Sequence, residues 1–392
     1  MKSGRIVSLL PAVTAGSIAV LVGFTSSIAI VLQAAAMLGA TAEQTSSMIA
    51  AVCFGTGVTS IAYSWFYKKP VLTAFSTTGA ALLAASASTH SFNETIGAFA
   101  ACGVLILISG VTGWFEKVLN RVPTALASAM LAGVLLRFGL DVFGCLKTQP
   151  IVVSSMLVVY IAMKNRVPRF TVLAVLAAGL AASAALGLIH LDSFHLQIST
   201  PVFTMPTLSI SALIGVAIPL FIVTMASQNL PGIAVMRACG YQAPISSVIS
   251  GTGLATVLLA PFGAFGINFA AITAAIVMGP EAHEDAHKRY AGAIAAGILY
   301  LFVAIFAATI TLFFQALPRE FVLSLAGIAL FSTIANSLSL GVKDESSRDA
   351  AILTFLVTAS GLTLQGVGSA FWGLVAGGLM LFFVAKPTAP RA

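Results

Sequence analysis

Charge is the scarcest feature of this sequence. Among 392 residues there are only 19 Lys and Arg and 12 Asp and Glu, which is 8% of the total, whereas soluble proteins carry about 25% charged residues. So few charges cannot cover a surface that faces water, which excludes a soluble enzyme, a nucleic-acid-binding protein and a disordered chain. Because 59% of the residues are apolar, the composition predicts a polytopic membrane protein embedded in the lipid bilayer.

Several chemical signatures are also missing. The four cysteines, Cys53, Cys102, Cys145 and Cys239, are far apart and form no CxxC pair, so neither a metal site nor a disulfide framework is predicted. There is no GxxxxGK[ST] nucleotide loop, which removes the usual support for ATP-driven transport. No Asp or Glu lies near the middle of an apolar segment, where a proton pump usually keeps its carboxylates. We therefore expect a secondary transporter without a cofactor, not an enzyme.

Apolar runs predict fourteen membrane segments, all of them helical. Runs such as 151–161 and 291–310 are continuously apolar, which excludes a β-barrel because barrel strands alternate apolar and polar residues. The third and tenth segments are short, interrupted by glycine, and begin at or beside a proline. The predicted segments are 12–38, 45–67, 70–87, 94–115, 122–140, 149–164, 168–189, 207–229, 243–260, 262–279, 290–315, 318–340, 347–363 and 366–385.

The distribution of Lys and Arg predicts the orientation. If the N-terminus is cytoplasmic and the segments alternate in direction, only Lys147 and Arg319 fall outside and Arg137 lies within a segment, while every other Lys and Arg is inside. This distribution follows the positive-inside rule. Omitting either short segment would invert all later loops, so we expect both to cross the bilayer and both termini to be cytoplasmic.

Fourteen segments divide into two sets of seven, and the odd number gives the two halves opposite orientations. We therefore predict an inverted repeat, with segments 1–7 in residues 1–190, an external linker at 191–206 and segments 8–14 in residues 207–392. The third and tenth segments share the pattern A-F-x-x-x-x-A-A, at 74–81 and 264–271. Their equal rank within each half supports the repeat.

The two short segments predict where a substrate binds. Inverted-repeat transporters hold substrate near the bilayer midplane, where discontinuous helices meet. Each short segment reads as an extended entry followed by a helix that begins inside the membrane, whose free N–H groups and partial positive charge attract an anion. The candidate residues of these segments are Ser76, Thr77, Thr78, Gly79, Gly266, Ile267 and Asn268, with the Asn268 amide as a hydrogen-bond donor.

Two further segments add polar candidates. Gln228 and Asn229 precede Pro231 and Gly232, which we expect to break the helix, and two adjacent amides in apolar surroundings need partners. Ser26 lies near the middle of the first segment. The candidate apolar walls are Phe24, Phe75 and Phe265.

Each of these candidates has a purely structural alternative. Small and hydroxylated residues commonly tighten helix packing in membranes. Ser26 can bond back to its own helix, and Gln228 and Asn229 can cap a helix end.

Five sequence blocks resemble the bacterial benzoate/proton symporter (BenE-type) family, which is itself similar to the nucleobase permeases. The likeness extends over roughly residues 10–385, and it implies a secondary active transporter that imports benzoate or a similar aromatic carboxylate with protons. The blocks are GFTSS at 23–27, PVLTAFSTTGA at 70–80, LAGVLLRFG at 131–139, TMASQNLPG at 224–232 and VTASG at 357–361.

The resemblance also implies an architecture. Segments 1–4 and 8–11 would form a core domain, and segments 5–7 and 12–14 a gate domain. The third and tenth segments would each contain a short extended strand, with the substrate between them. An inner-membrane location and a homodimer formed through the gate domain follow from the resemblance alone.

Gln228 is where this sequence departs from the nucleobase permeases, which carry a carboxylate that binds the base and is linked to the proton. A neutral amide suits a carboxylate substrate, because a second buried anion would repel it. No residue is then assigned to the proton, which can travel with the substrate as the neutral acid. A facilitative anion pathway and a nucleobase permease on the same fold remain the alternative functions.

Overall fold

The computed structural model describes residues 3–86, 90–113, 124–166, 171–189, 195–242, 244–279, 282–362, 364 and 369–384. Within these ranges the chain is mostly helical, and eight helices are long and apolar enough to cross a membrane. The protein is therefore a polytopic helical membrane protein. Those eight are Pro11–Met37, Ala42–Tyr67, Phe92–Val111, Ala125–Thr148, Ile210–Ile233, Ile245–Phe262, Ala286–Ile305 and Arg319–Gly341.

The first half of the chain contains seven helices and one strand among its described residues. The strand lies in the third predicted segment and is followed at once by a helix. In chain order the elements are α1 (Ser3–Met37), α2 (Ala42–Tyr67), β1 (Thr73–Phe75), α3 (Thr77–Ser86), α4 (Phe92–Val111), α5 (Thr124–Thr148), α6 (Pro150–Lys164) and α7 (Thr171–Ala185).

The second half begins with a long composite helix, α8, which runs from Ile210 to Ala238. A second strand lies in the tenth predicted segment. The other α-helices and the strand of this half are α9 (Ile245–Leu259), β2 (Ile267–Phe269), α10 (Ile272–Met278), α11 (Tyr290–Ile305), α12 (Ala307–Gln315), α13 (Arg319–Gly341), α14 (Arg348–Ala359) and α15 (Ser369–Val384).

Helix α8 does not end at Pro231 and Gly232, contrary to the expectation from sequence. It continues to Ala238 and contains two π-helical turns, Leu213–Ala217 and Met225–Asn229. Each turn lies just before a proline, Pro219 or Pro231. Proline lacks an N–H and its ring clashes with the carbonyl of residue i−4, and the wider π turn accommodates it without ending the helix.

Helix pairs with glycine contacts hold the bundle around the strands. Helix α4 packs against α9, and α2 packs against α11. A Cβ added to Gly103 would lie 3.1 Å from the carbonyl oxygen of Gly253, and one added to Gly57 would lie 2.7 Å from that of Gly297. These helices approach closely because no side chain separates them. Helix α5 packs against α13, α6 against α7, and α14 against α15.

An extended segment, 195–209, contacts the ends of three helices and forms most of the predicted linker. Its backbone amides at Ser199 and Thr204 donate to the carbonyl oxygens of Ile305 and Pro261, at 2.7 Å each. Farther along the segment, the amide of Thr207 donates to the carbonyl of Asn93. The segment therefore ties together the ends of α4, α9 and α11. The linker residues 191–194 lie outside the described residues.

Candidate functional site

The two strands form an antiparallel ribbon at the centre of the candidate site. Ala74 pairs with Asn268 in the middle of the ribbon, and Thr73 and Phe75 lie opposite Phe269 and Ile267. The amide of Ser76 donates to the carbonyl of Gly266 at 3.0 Å, which fixes the hydrogen-bonded register. In an antiparallel pair, hydrogen-bonded and non-hydrogen-bonded positions alternate. Thr73, Phe75, Ile267 and Phe269 therefore direct their amides away from the partner strand.

Three of these four outward amides are held by side chains of neighbouring helices. The amide of Thr73 donates to Ser60 Oγ of α2 at 3.0 Å. That of Ile267 donates to Thr256 Oγ1 of α9 at 3.1 Å. That of Phe269 donates to Asn229 Oδ1 in the second π turn of α8 at 2.9 Å.

The fourth outward amide, that of Phe75, has no acceptor among the described residues. Two more free amides follow at the start of α3. Ser76 caps this helix, since its Oγ accepts from the amide of Gly79 at 2.9 Å and its carbonyl accepts from Ala80. The amides of Thr77 and Thr78 lie in the first turn, where no intrahelical acceptor exists. The β1–α3 junction thus contains, within four consecutive residues, three N–H groups that have no acceptor among the described residues.

Helices α1 and α8 meet α3 at this junction. Thr77 Oγ1 lies 2.6 Å from Ser27 Oγ of α1. Thr78 Oγ1 lies 2.8 Å from Ser227 Oγ of α8 and accepts from Gln228 Nε2 at 3.3 Å. The first, third and eighth predicted segments therefore do come together.

Exposure divides the candidate residues into an open group and an enclosed group. Phe24, Ser26, Thr77 and Gln228 are partly exposed, so their side chains border accessible space. The hydroxyl of Ser26 donates to the carbonyl of Gly23 in its own helix. The enclosed candidates are Phe75, Ser76, Thr78, Gly79, Asn229, Phe265, Gly266, Ile267 and Asn268.

Several enclosed candidates have identifiable packing roles. Asn229 uses both ends of its amide inside the protein, because its Nδ2 contacts Met225 Sδ at 3.1 Å while its Oδ1 holds Phe269. The Phe265 ring packs against Phe99 of α4, with ring centroids 5.7 Å apart. These side chains fix the ribbon in place.

Asn268 differs from the expectation, and its neighbour Gly266 has a backbone conformation that favours glycine. Gly266 has a φ of 53°, a conformation that glycine adopts readily, and a Cβ there would lie 2.9 Å from Thr224 Oγ1. The Asn268 amide, expected to donate into the site, instead donates to the carbonyl of Gly266 at 2.7 Å. Its Oδ1 is buried and has no partner among the described residues.

The sequence interpretation did not identify Ser60, Thr256, Thr224 or Ser227. The first two are single hydroxyls in apolar helices, and only the ribbon register shows that they hold a strand amide. The prolines of α8 were the available signal for its π turns, which occur frequently at functional sites. Among the described residues, no three His, Cys, Asp or Glu side chains are grouped to hold a metal ion.

Two curated relatives match nearly the whole chain. The chain is 46% identical over 369 residues to "Inner membrane protein YdcO" of Escherichia coli, with 94% of each sequence covered. It is 38% identical over 380 residues to "Benzoate membrane transport protein" of Acinetobacter baylyi, covering 97% of this chain and 96% of the relative.

Solved structures share the fold at low sequence identity. The transmembrane domain of the cyanobacterial bicarbonate transporter BicA aligns with a TM-score of 0.62 at 14% identity, covering 95% of this chain and 97% of that one. The structure of SLC26A9 also aligns with a TM-score of 0.62, at 13% identity, covering 96% of this chain and 65% of that one. The BenE family profile, described as "Benzoate membrane transport protein", matches residues 7–383, and the chain therefore belongs to this family of membrane transporters.

Proposed function

We propose that this protein is a secondary active transporter that imports benzoate or a similar aromatic carboxylate together with protons across the inner membrane. Family membership supports the benzoate-like substrate, and the name of the Escherichia coli relative, "Inner membrane protein YdcO", supports the location. The Lys and Arg distribution supports cytoplasmic termini.

One observation carries the proposal: the free amides of Phe75, Thr77 and Thr78 at the β1–α3 junction. A carboxylate has two oxygens with about four acceptor positions. A hydrogen bond to a charged group contributes about 1.5–3 kcal/mol, and the positive end of α3 adds to the attraction. These amides therefore suit the oxygens of a carboxyl group without any Lys or Arg. The partly exposed Phe24 and Ala74 give the aromatic ring apolar contacts.

The candidate residues then have two kinds of role. Thr77, Thr78, Gln228, Ser26 and Phe24 border the substrate. The others position the backbone that binds it, through the contacts already described: Phe75, Ser76, Gly79, Asn229, Phe265, Gly266 and Ile267.

We further propose fourteen crossings in two inverted sets, with segments 1–7 in 1–190 and segments 8–14 in 207–392. If segment n corresponds to segment n+7, then α4 (segment 4) corresponds to α11 (segment 11), and α2 (segment 2) corresponds to α9 (segment 9). The repeat then relates the packed pair α4–α9 to the packed pair α11–α2. Both pairs occur, and both contain a glycine contact. Segments 5 and 12 are each other's counterparts and pack together as α5 and α13.

The strand contacts support the same exchange. When the two halves are related in this way, Thr73 corresponds to Ile267. The backbone amide of each donates to a hydroxyl of the helix that precedes its strand. The core domain would comprise segments 1–4 and 8–11, and the gate domain segments 5–7 and 12–14, with a homodimer formed through the gate.

Two substitutions at Thr77 test the amide site. Thr77→Pro removes the N–H at the first position of α3, where proline is well tolerated, and also removes the hydroxyl. Thr77→Val removes only the hydroxyl that contacts Ser27. We expect Thr77→Pro to raise the benzoate Kd by roughly 10- to 150-fold more than Thr77→Val, measured by calorimetry on purified protein, with circular dichroism to confirm folding.

Equal affinities in the two folded variants would place the carboxylate elsewhere. Uracil or xanthine displacing benzoate would favour a nucleobase permease. Benzoate uptake at the same rate with and without a proton gradient would favour the facilitative pathway.

A further inference from the structure

We propose that Asn268 accepts the acid proton of the substrate, so that the protein binds and carries the neutral carboxylic acid. This inference rests on the proposed function and specifies the form in which the substrate is bound. It also names the proton carrier, because the proton is the substrate's own.

The orientation of the Asn268 amide is the first step. Its Nδ2 donates to the carbonyl of Gly266 at 2.7 Å, and that carbonyl also accepts from the amide of Ser76 at 3.0 Å. The donor end is therefore committed to the ribbon. The acceptor end, Oδ1, is buried and has no partner among the described residues, which costs free energy unless a donor is supplied.

The position of Asn268 relative to the open junction is the second step. Asn268 pairs directly with Ala74, and paired residues direct their side chains to the same face of a sheet. Ala74 is partly exposed, so accessible space lies next to the enclosed Asn268. The free amide of Phe75 follows Ala74 in the chain. A carboxyl group placed next to Ala74 would thus lie between the N–H donors of the β1–α3 junction and the lone acceptor of Asn268.

The two protonation states of a carboxyl group form different hydrogen bonds with these donors and this acceptor. A carboxylate can only accept hydrogen bonds, whereas a carboxylic acid has one O–H donor and retains acceptor capacity. Only the acid can satisfy the amides of Phe75 and Thr77 and the Oδ1 of Asn268 together. The site therefore selects the neutral form, even though that form is scarce at neutral pH.

The proton balance of this cycle is simple. The carboxylate takes one proton from the external solution, which forms the O–H bond of the acid. After release on the other side, the same O–H bond breaks and the proton passes to water. One proton moves with each substrate, no net charge crosses the membrane, and no side chain of the protein changes its protonation state.

Few ionisable groups surround Asn268. The elements packed against β2 are β1, α2, α9 and the Met225–Asn229 turn, and among these only α2 carries ionisable side chains. They are Glu43 in its first turn, the Cys53 thiol in the interior, and Tyr63 and Tyr67 in its last turns. Glu43 is exposed and lies about 25 Å along α2 from Ser60, which holds β1. Thiols and phenols are ordinarily neutral between pH 5 and 7, so a pH dependence in this range would belong to the substrate.

Benzoate and benzamide distinguish the two protonation states in the wild-type protein. Benzamide has the shape of benzoic acid, and its NH₂ donates at every pH. We expect the apparent benzoate Kd to rise about tenfold for each pH unit from 5 to 7, since a carboxyl group with a pKa of about 4 loses its neutral form at that rate. Benzamide should displace benzoate with a Kd that is the same at every pH. A benzoate Kd independent of pH would overturn the inference.

Asn268→Leu removes the acceptor at similar volume, and Gln197→Leu provides the control at an exposed amide in the 195–209 segment. We expect Asn268→Leu to flatten the pH dependence of benzoate binding and to weaken benzamide about tenfold, while Gln197→Leu matches wild type. A folded Asn268→Leu variant with the full pH dependence would contradict the assignment. If that variant does not fold, the pH dependence of benzoate and benzamide binding to the wild-type protein still tests whether the neutral acid is the bound form. Absence of benzoate binding at every pH would instead reject the proposed function itself.

Discussion

At the scale of single residues, the second π turn of α8 explains how three consecutive polar residues contact two different elements, α3 and β2. Ser227 and Gln228 both contact Thr78 of α3, while Asn229 holds the amide of Phe269 in β2. The wider turn changes the angular spacing of the side chains, so one helix supplies both a site residue and a strand anchor. Gln228 is the member of the three whose amide combines partial exposure with contact to α3.

A charge at Gln228 should interfere with an anionic or acidic substrate. Gln228→Glu replaces an amide that donates to Thr78 Oγ1 with a carboxylate. A carboxylate can only accept hydrogen bonds, so the site loses this donor until the glutamate is protonated. We expect the benzoate Kd at pH 7 to rise about tenfold relative to wild type, and the difference to shrink towards pH 5 as the glutamate is protonated. Calorimetry at both pH values measures this ratio. Wild-type affinity in a folded Gln228→Glu protein would put this side chain outside the site.

At the scale of elements, close helix pairs fix the positions of the two strands. Helix α2 holds β1 through Ser60, and α9 holds β2 through Thr256. These helices pack in turn on α11 and α4 at glycine contacts. The spacing between the two strands therefore depends on residues that contact no substrate.

Filling one glycine contact should destabilise the whole arrangement. In Gly57→Val, the new Cβ would lie 2.7 Å from the carbonyl oxygen of Gly297, and overpacking of this kind costs about 1–3 kcal/mol. Gly144→Val is the matched control, because Gly144 lies in α5 with no atom within 4 Å of its added Cβ. We expect a melting temperature several degrees lower for Gly57→Val only. Equal melting temperatures would mean that α2 and α11 can separate without cost.

At the scale of the whole molecule, hydropathy and punctuation predicted where several of the long helices lie. Segments 45–67 and 94–115 correspond to α2 and α4. Each of these helices begins at a capped turn, with Thr41 or Ser91 as the N-cap. The predicted end at 140 was wrong, because α5 continues through the charged Asp141 to Thr148. A single charge near a helix end can reach water and does not stop the helix.

The site was only partly predictable, because the composition of a short segment does not determine which residues of two strands pair. The shared A-F-x-x-x-x-A-A pattern aligns Phe75 with Phe265. In the ribbon, the symmetry that superimposes one strand on the other relates Thr73 to Ile267, and it therefore relates Phe75 to Phe269 and not to Phe265. Short alanine-rich matches tolerate a shift of four residues, whereas strand pairing does not. The free amide of Phe75 became visible only through that pairing.

The orientation of the chain has a direct test. Single cysteines replacing His195 and Asp285, two exposed positions, would lie on opposite sides of the membrane in the inverted-repeat topology. The background would carry Cys239→Ser, since the other three native cysteines are buried. We expect an impermeant maleimide to label position 195 in intact cells and position 285 only after permeabilisation. Labelling of both from the same side would reject this topology.

The central claim is proton-linked carboxylate uptake, and the most direct measurement is uptake of labelled benzoate into proteoliposomes. The purified protein would be reconstituted at one internal pH, with and without an acidic external solution, and protein-free liposomes would correct for benzoic acid that crosses the lipid alone. We predict that the inward proton gradient drives protein-dependent accumulation above the external concentration, and that excess uracil does not reduce it. Protein-dependent uptake that only equilibrates, at the same rate with and without the gradient, would contradict the account.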